Sequence, residues 1–282
     1  MKKILLKSAH PTFNIAHRGA RSLAPENTIS AARKALEVGA DGWELDVQMS
    51  RDKKLVVIHD ESLVRTSNVK EIFPHRESWL VRDFTLKELQ ELDFGSWFNE
   101  TDPFGQIAAG NVSKEEQRSF AGVKILSLEE ALEFTKKSKW KVNIEIKSFP
   151  FETDNFELVE KVVDQINQFK MEKMVMVSSF NHAYIKRVKK LNPRITTGAL
   201  VDKPLNNPAN YLKEIETDVY DVSVSAISLD EIELLQSKGF SVIIWTVNDE
   251  KTMKDLIKVG VDGVITDFPQ KLKTILDPGP RQ

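Results

Sequence analysis

Short apolar runs, many of them β-branched, alternate with amphipathic stretches along most of the chain. The runs FNIAH (13–17), WELDVQM (43–49), LVVIH (55–59), KVNIEIK (141–147), MVMVSSF (174–180), ITTGALV (195–201), YDVSVS (220–225), VIIWTV (242–247) and GVITD (263–267) predict strands. Between them, NTISAARKALEVG (27–39), NFELVEKVVDQINQF (155–169), SLDEIELLQSKG (228–239) and DEKTMKDLIKVG (249–260) predict helices. Several of these start at a capping side chain and stop at glycine. Strands that alternate with helices run parallel, because each return needs a crossover. The expected architecture is therefore α/β, a (β/α)8 TIM-type barrel forming a single domain over 1–282, with one strand to spare. The spare is LVVIH, since the few residues before it leave room for a hairpin but not for a helix. A doubly wound open sheet is the structural alternative. No GxGxxG or GxxxxGK[ST] follows any strand, which counts against its nucleotide-binding forms.

Residues 61–122 break the rhythm. They hold few strand signals, charged loops and the aromatics Phe94, Trp97, Phe98 and Phe104. A stretch of that kind reads as a small insertion over the C-terminal mouth of the barrel, with helices near 85–92 and 127–137. At the N-terminus, Lys7 ends the apolar run Ile4-Leu5-Leu6 after three residues. A secretory core needs roughly 7–15 apolar residues, so the segment reads as a lead-in to the first strand. No run approaches the ~18 apolar residues of a membrane span.

Charge and composition narrow the chemistry. Forty basic and forty-two acidic residues among 282 leave a formal charge of −2, so an anion must be captured by a local cluster. The chain has no cysteine, which removes disulfides, thiolate nucleophiles, Fe–S clusters and thiolate zinc sites. Glu44 and Asp46 sit two apart in a strand otherwise built of Trp43, Leu45 and Val47, so both carboxylates share one face. In a barrel that face points inward, where paired carboxylates repel each other and need a cation. Glu145 and Lys147 repeat the pattern beside Ile144 and Ile146. Three converging carboxylates without thiolates suit one hard divalent cation, Mg²⁺ or Ca²⁺. The plainer reading is a buried ion-pair network with Arg18 and Lys147. His17 and His59 end two strands near these carboxylates and suit general acid and base roles. His10, His75 and His182 read as surface residues. Arg18 and Lys147 supply positive charge for a phosphate, and Trp245 is either an apolar wall for a glycerol backbone or ordinary core.

At these residues the chain resembles the glycerophosphodiester phosphodiesterase family, of the bacterial type. The matching segments are NIAHRGARSLAPENT (14–28), GADGWELDVQMSRDKKLVVIHDESLVRTSN (39–68), NIEIK (143–147), SSF (178–180), WTVN (245–248) and GVDGVITDFP (260–269), in order. The resemblance implies a barrel with His17 and His59 as the acid/base pair and Glu44, Asp46 and Glu145 as ligands of one divalent ion. It implies Arg18 on the phosphate, Lys147 assisting and Glu26 as an active-site neighbour. It further implies hydrolysis of a glycerophosphodiester to sn-glycerol 3-phosphate and an alcohol such as choline or ethanolamine. The attacking group is water or the substrate's own 2-hydroxyl. The chain departs from the family in ILSLEEAL (125–132), which lacks the usual proline and threonine, and in the long segment 94–122.

A second enzymatic reading is phospholipase D-like action on lysophospholipids by the same residues, with the aromatics at 94–104 receiving the acyl chain. A non-catalytic binding barrel would have lost a ligand or a histidine, and none is missing. A metal-dependent sugar isomerase or aldolase barrel would leave Arg18 without a purpose. The expected partner is a small-molecule substrate, with no nucleic acid and no stable membrane insertion. A homo-oligomer is left open. The compartment reads as cytoplasmic, or periplasmic or secreted if a signal segment has been removed.

Overall fold

The structure is a computed structural model that describes residues 10–149 and 155–278. The expected lead-in over residues 1–9 lies outside the described residues. Among the described residues, ten strands appear in chain order: β1 Phe13–Ala16, β2 Gly42–Met49, β3 Leu55–Val57, β4 Leu126–Ser127, β5 Lys141–Ile146, β6 Val175–Ser179, β7 Thr196–Val201, β8 Val219–Ser223, β9 Ser241–Trp245 and β10 Gly263–Thr266. Parallel pairing runs β1, β2, β5, β6, β7, β8, β9, β10 and back to β1, which closes an eight-stranded barrel. β3 turns back antiparallel on β2, as the short link before it predicts, and β4 extends it outward.

The two faces of β2 divide the helix-packed outer layer from the bore. Trp43, Leu45 and Val47 point outward and are fully buried under helices. The Trp43 indole stacks on Trp140 at 6.2 Å and donates its N–H to the Thr135 hydroxyl. Glu44, Asp46 and Gln48 alternate with them and face the bore. After β1, the chain turns tightly and leans on helix Ile29–Glu37, whose Ala31, Ala32 and Ala35 present little bulk. A side chain at Gly19 would come within 2.6 Å of Ala31, and its φ of +81° also suits glycine.

Helices His182–Leu191, Pro208–Glu214 and Pro269–Leu276 complete the outer layer without having been predicted. The last two begin with proline in the first turn, which is a helix-start signal rather than a breaker. His182 and His10 are half-buried rather than on the surface. The His182 ring lies 2.6 Å from the Tyr211 hydroxyl and 3.0 Å from the Leu200 carbonyl oxygen, and His10 lies 3.0 Å from Asp277. His75 is exposed.

Residues 61–122 form short helices at Val69–Ile72, Leu86–Leu89, Ser96–Thr101 and Lys114–Phe120. Leu63, Val69, Val81, Phe84, Leu89, Leu92 and Phe94 pack with Val56 of β3 in a hydrophobic cluster of their own. The predicted helix at 127–137 is real but belongs to the barrel layer, running Leu128–Lys137 between β4 and β5.

Candidate active site

The turn that leaves β1 shapes one wall of the mouth. His17, Arg18 and Gly19 follow Ala16, and Arg18 adopts φ +53°. A non-glycine residue there is strained by ~1–2 kcal/mol, and the surroundings hold it in place. The Arg18 N–H donates to Glu44 Oε2 at 2.9 Å, and the Arg18 carbonyl accepts from Asn27, itself at φ +58°. Asn27 brackets Asp46, donating from Nδ2 to Asp46 Oδ2 at 2.8 Å and accepting the Asp46 N–H at 3.3 Å.

Among the described residues, Glu44, Asp46 and Glu145 offer ligand atoms within 4.8 Å of one another. The β2–β5 register sets Asp46 opposite Glu145. Burial, then the charges of Asp46 and Glu145, pushes the Glu44 carboxyl well above the usual carboxylate range. Burial acts the same way on Asp46, but Arg18 and Lys147 overcome it and hold that group ionised. Lys147 Nζ lies 2.7 Å from Glu145 and 3.5 Å from Asp46, and Arg18 Nε lies 3.2 Å from Asp46. The ion-pair network foreseen as the plainer reading is therefore present, yet it leaves the cluster incomplete. Glu44 Oε1 is buried without a hydrogen-bond partner, and Asp46 Oδ1 has only the Lys147 ammonium at 3.5 Å; a buried carboxylate oxygen with no donor is costly unless a cation faces it.

Both predicted histidines reach this mouth, and each is held by a carboxylate. His17 Nδ1 lies 2.6 Å from Asp267 Oδ1, which directs Nε2 toward Glu44 Oε2 at 4.0 Å. Asn248 fixes Asp267 from behind, with Nδ2 donating at 2.7 Å. Burial, then the Arg18 charge, pushes the His17 imidazole down to about 4, against the pull of Asp267. His59 Nδ1 lies 2.6 Å from Asp60 Oδ1.

Glu26 is an active-site neighbour, but its oxygens serve other side chains. Arg18 donates to Oε1 at 2.9 Å, Arg21 to Oε2 at 2.6 Å, and Arg65 to both at 2.7 and 3.0 Å. Burial raises its pKa, but the Arg65 hydrogen bonds and the Arg18 and Arg21 charges prevail and hold it far below the usual carboxylate range. A folded pKa below the unfolded one means stability that is present above the ordinary glutamate range and lost as pH falls from there through the depressed folded value. Glu26→Ala is expected to lower stability by about 3 kcal/mol at neutral pH, the scale for stripping one partner from a buried ion pair. Urea unfolding measures this; an unchanged midpoint would contradict the clamp.

Trp245 stands half-buried on the bore wall, its indole N–H donating to the Asp221 carbonyl at 3.0 Å and its ring edge-on to Phe180. A groove of about 770 Å³ begins at Lys147 and runs past Gln48, Arg51, Lys53 and Arg82. A cavity of about 660 Å³ lies at the opposite end, among strand starts such as Gly42, Lys141 and Ser241, away from the acid–base cluster. The functional-site residues absent from the sequence reading are Asp267, Asn248, Asn27, Arg21 and Arg65. Asp267 ends a predicted strand in the segment GVITD, the same place that singled out His17 and His59.

The sequence profile of the Glycerophosphoryl diester phosphodiesterase family matches residues 17–271. A glycerophosphodiester phosphodiesterase of Caldanaerobacter subterraneus subsp. tengcongensis is 37% identical over 95% of this chain and 99% of its own. One from Bacillus altitudinis is 36% identical over 91% and 94% of the two chains. Among solved structures, a phosphodiesterase from Oleispira antarctica in complex with the product sn-glycerol-3-phosphate is 26% identical, with a TM-score of 0.75 over 93% of this chain and 96% of that one. A Silicibacter pomeroyi structure superimposes with a TM-score of 0.82 over 96% and 95% at 23% identity, a likeness of fold.

Proposed function

This chain belongs to the glycerophosphoryl diester phosphodiesterase family, and on that footing we propose that it hydrolyses glycerophosphodiesters to sn-glycerol 3-phosphate and an alcohol at the mouth described above. The carrying observation is the convergence of Glu44, Asp46 and Glu145, with Glu44 Oε1 buried and without a hydrogen-bond partner, beside two imidazoles that are each oriented by a carboxylate. It is a phosphoric diester hydrolase, as its relatives are.

Glu44, Asp46 and Glu145 would hold one divalent cation, Mg²⁺ or Ca²⁺, which when bound supplies charge stabilisation at the phosphoryl oxygens. Arg18 and Lys147 flank that position and add positive charge, Arg18 through a planar fork suited to phosphate. Asp267 and Asp60 each accept from an imidazole Nδ1–H, which leaves Nε2 of His17 and His59 for proton transfer. One imidazole takes the proton of the attacking hydroxyl, and the other gives a proton to the departing alkoxide. The rim aromatics do not favour lysophospholipids: Phe94 and Phe98 are buried, and Trp97 and Phe104 lie against Arg65 and Arg21. No helix among the described residues is long and apolar enough to cross a membrane.

Release of sn-glycerol 3-phosphate from glycerophosphocholine tests the reading. A chelator is expected to slow it by at least ~10²-fold, given that a catalytic metal contributes several kcal/mol, and added Mg²⁺ or Ca²⁺ to restore it. Full turnover in chelator would refute the metal, and a clear preference for the lysophospholipid would overturn the substrate class.

A further inference from the structure

The insertion 61–122 places two aromatic rings on the two arginines that hold Glu26 from the solvent side. Trp97 lies 5.8 Å from the Arg65 guanidinium carbon and Phe104 lies 5.3 Å from that of Arg21, both within the ~6 Å range of cation–π contact. Each ring is itself anchored. The Trp97 indole N–H donates to the Phe94 carbonyl at 3.0 Å and its ring meets Phe98 edge-on. Phe104 meets Phe268 edge-on, next in sequence to the Asp267 that orients His17.

The arginines reach further than Glu26. Arg65 Nε also donates to Asp60 Oδ2 at 2.6 Å, and Asp60 orients His59. Glu26 in turn holds Arg18. One ring on Arg65 therefore bears on both the phosphate-facing arginine and an acid/base histidine. The Arg65 side chain is 40% exposed. Three like-charged guanidiniums around one carboxylate repel one another, and an exposed one gains hydration by swinging out. A ring over its face removes that alternative.

We propose that the insertion serves as a positioning clamp, in which Trp97 and Phe104 fix Arg65 and Arg21 so that Glu26, Arg18 and the His59–Asp60 pair keep their catalytic geometry. The clamp rests on the phosphodiesterase reading of the site, and gives the insertion a role in rate rather than in acyl-chain binding. Positioning errors near 1 Å can cost ~10²-fold in rate, so a partial loosening should cost less than that.

The test uses full-length protein in Mg²⁺, with glycerophosphocholine as substrate and thermal unfolding as a check on the fold. Trp97→Leu is expected to lower kcat about tenfold with KM changed less than threefold, and Trp97→Phe to recover most of the loss. In an Arg65→Lys background, Trp97→Leu should add little, because its effect passes through Arg65. Unchanged kcat in Trp97→Leu, no recovery in Trp97→Phe, or losses that multiply with Arg65→Lys would each overturn the clamp. Should Trp97→Leu fail to fold, Phe104→Leu decides by the same kcat and KM criteria. An arm independent of turnover is NMR of arginine-labelled protein, where the Arg65 Nε–H should exchange slowly in the wild type and rapidly in Trp97→Leu. Equal exchange refutes the clamp. If the wild type does not hydrolyse the diester, the reading of the site fails and the NMR result alone judges the clamp.

Discussion

His17→Ala is expected to cut kcat on glycerophosphocholine by about 10³-fold, within the ~10²–10⁴ range for loss of a positioned acid or base. The imidazole is tied by Nδ1 to Asp267, and its other nitrogen faces the carboxylate cluster. Alanine removes the proton-transfer group and leaves the three carboxylates in place. Divalent-ion binding, followed by the rise in unfolding temperature it produces, should therefore survive. Added imidazole should restore part of the rate by entering the vacated space. A variant that retains more than a tenth of wild-type kcat would remove His17 from the proton transfers.

Glu44→Gln is the second large effect, with turnover at low metal concentration expected to fall by about 10³-fold or more, as one of three ligands and its charge are lost. The stability effect has the opposite sign. Because burial and its acidic neighbours raise the folded-state pKa of Glu44, its ionisation disfavours the metal-free fold once pH exceeds the ordinary glutamate range. A neutral isostere relieves that repulsion and still offers an oxygen to the Arg18 N–H. Metal-free Glu44→Gln should thus melt at or above the wild-type temperature, while the upward shift on adding Mg²⁺ or Ca²⁺ shrinks sharply. Normal turnover at low metal, or an undiminished shift, would contradict the assignment of Glu44.

The two variants also separate what was legible in the chain from what was not. Glu44 and Asp46 could be read as a pair because alternation in a strand is local, and the apolar Trp43, Leu45 and Val47 fix which face is buried. The spare strand was legible for the same reason: a tight link allows only antiparallel return, as β2 and β3 show. Helices that start at proline were missed because their periodic faces are short, with only Ala209 and Leu212 buried in Pro208–Glu214. The aromatics at 94–104 left the lysophospholipid alternative open, because composition marks them apolar and says nothing of their neighbours. Their contacts with Arg21 and Arg65 give them another use.

The sequence by itself determined the barrel, the inward pair Glu44 and Asp46, and the candidates His17, His59, Arg18, Glu145 and Lys147, since each depends on strand period, strand ends and charge. Only the tertiary structure decided their partners. Asp267 meets His17 because β10 closes on β1. Asp46 meets Glu145 because β5, reached past β3 and β4, pairs in parallel with β2 at that register. Glu26 became an anchor for three arginines when the turn after β1 folded Arg18 and Arg21 back onto it and Arg65 arrived from 39 residues away; aromatic rings cover Arg21 and Arg65. Periodicity records which face of a strand is buried, whereas closure and register set which buried groups touch.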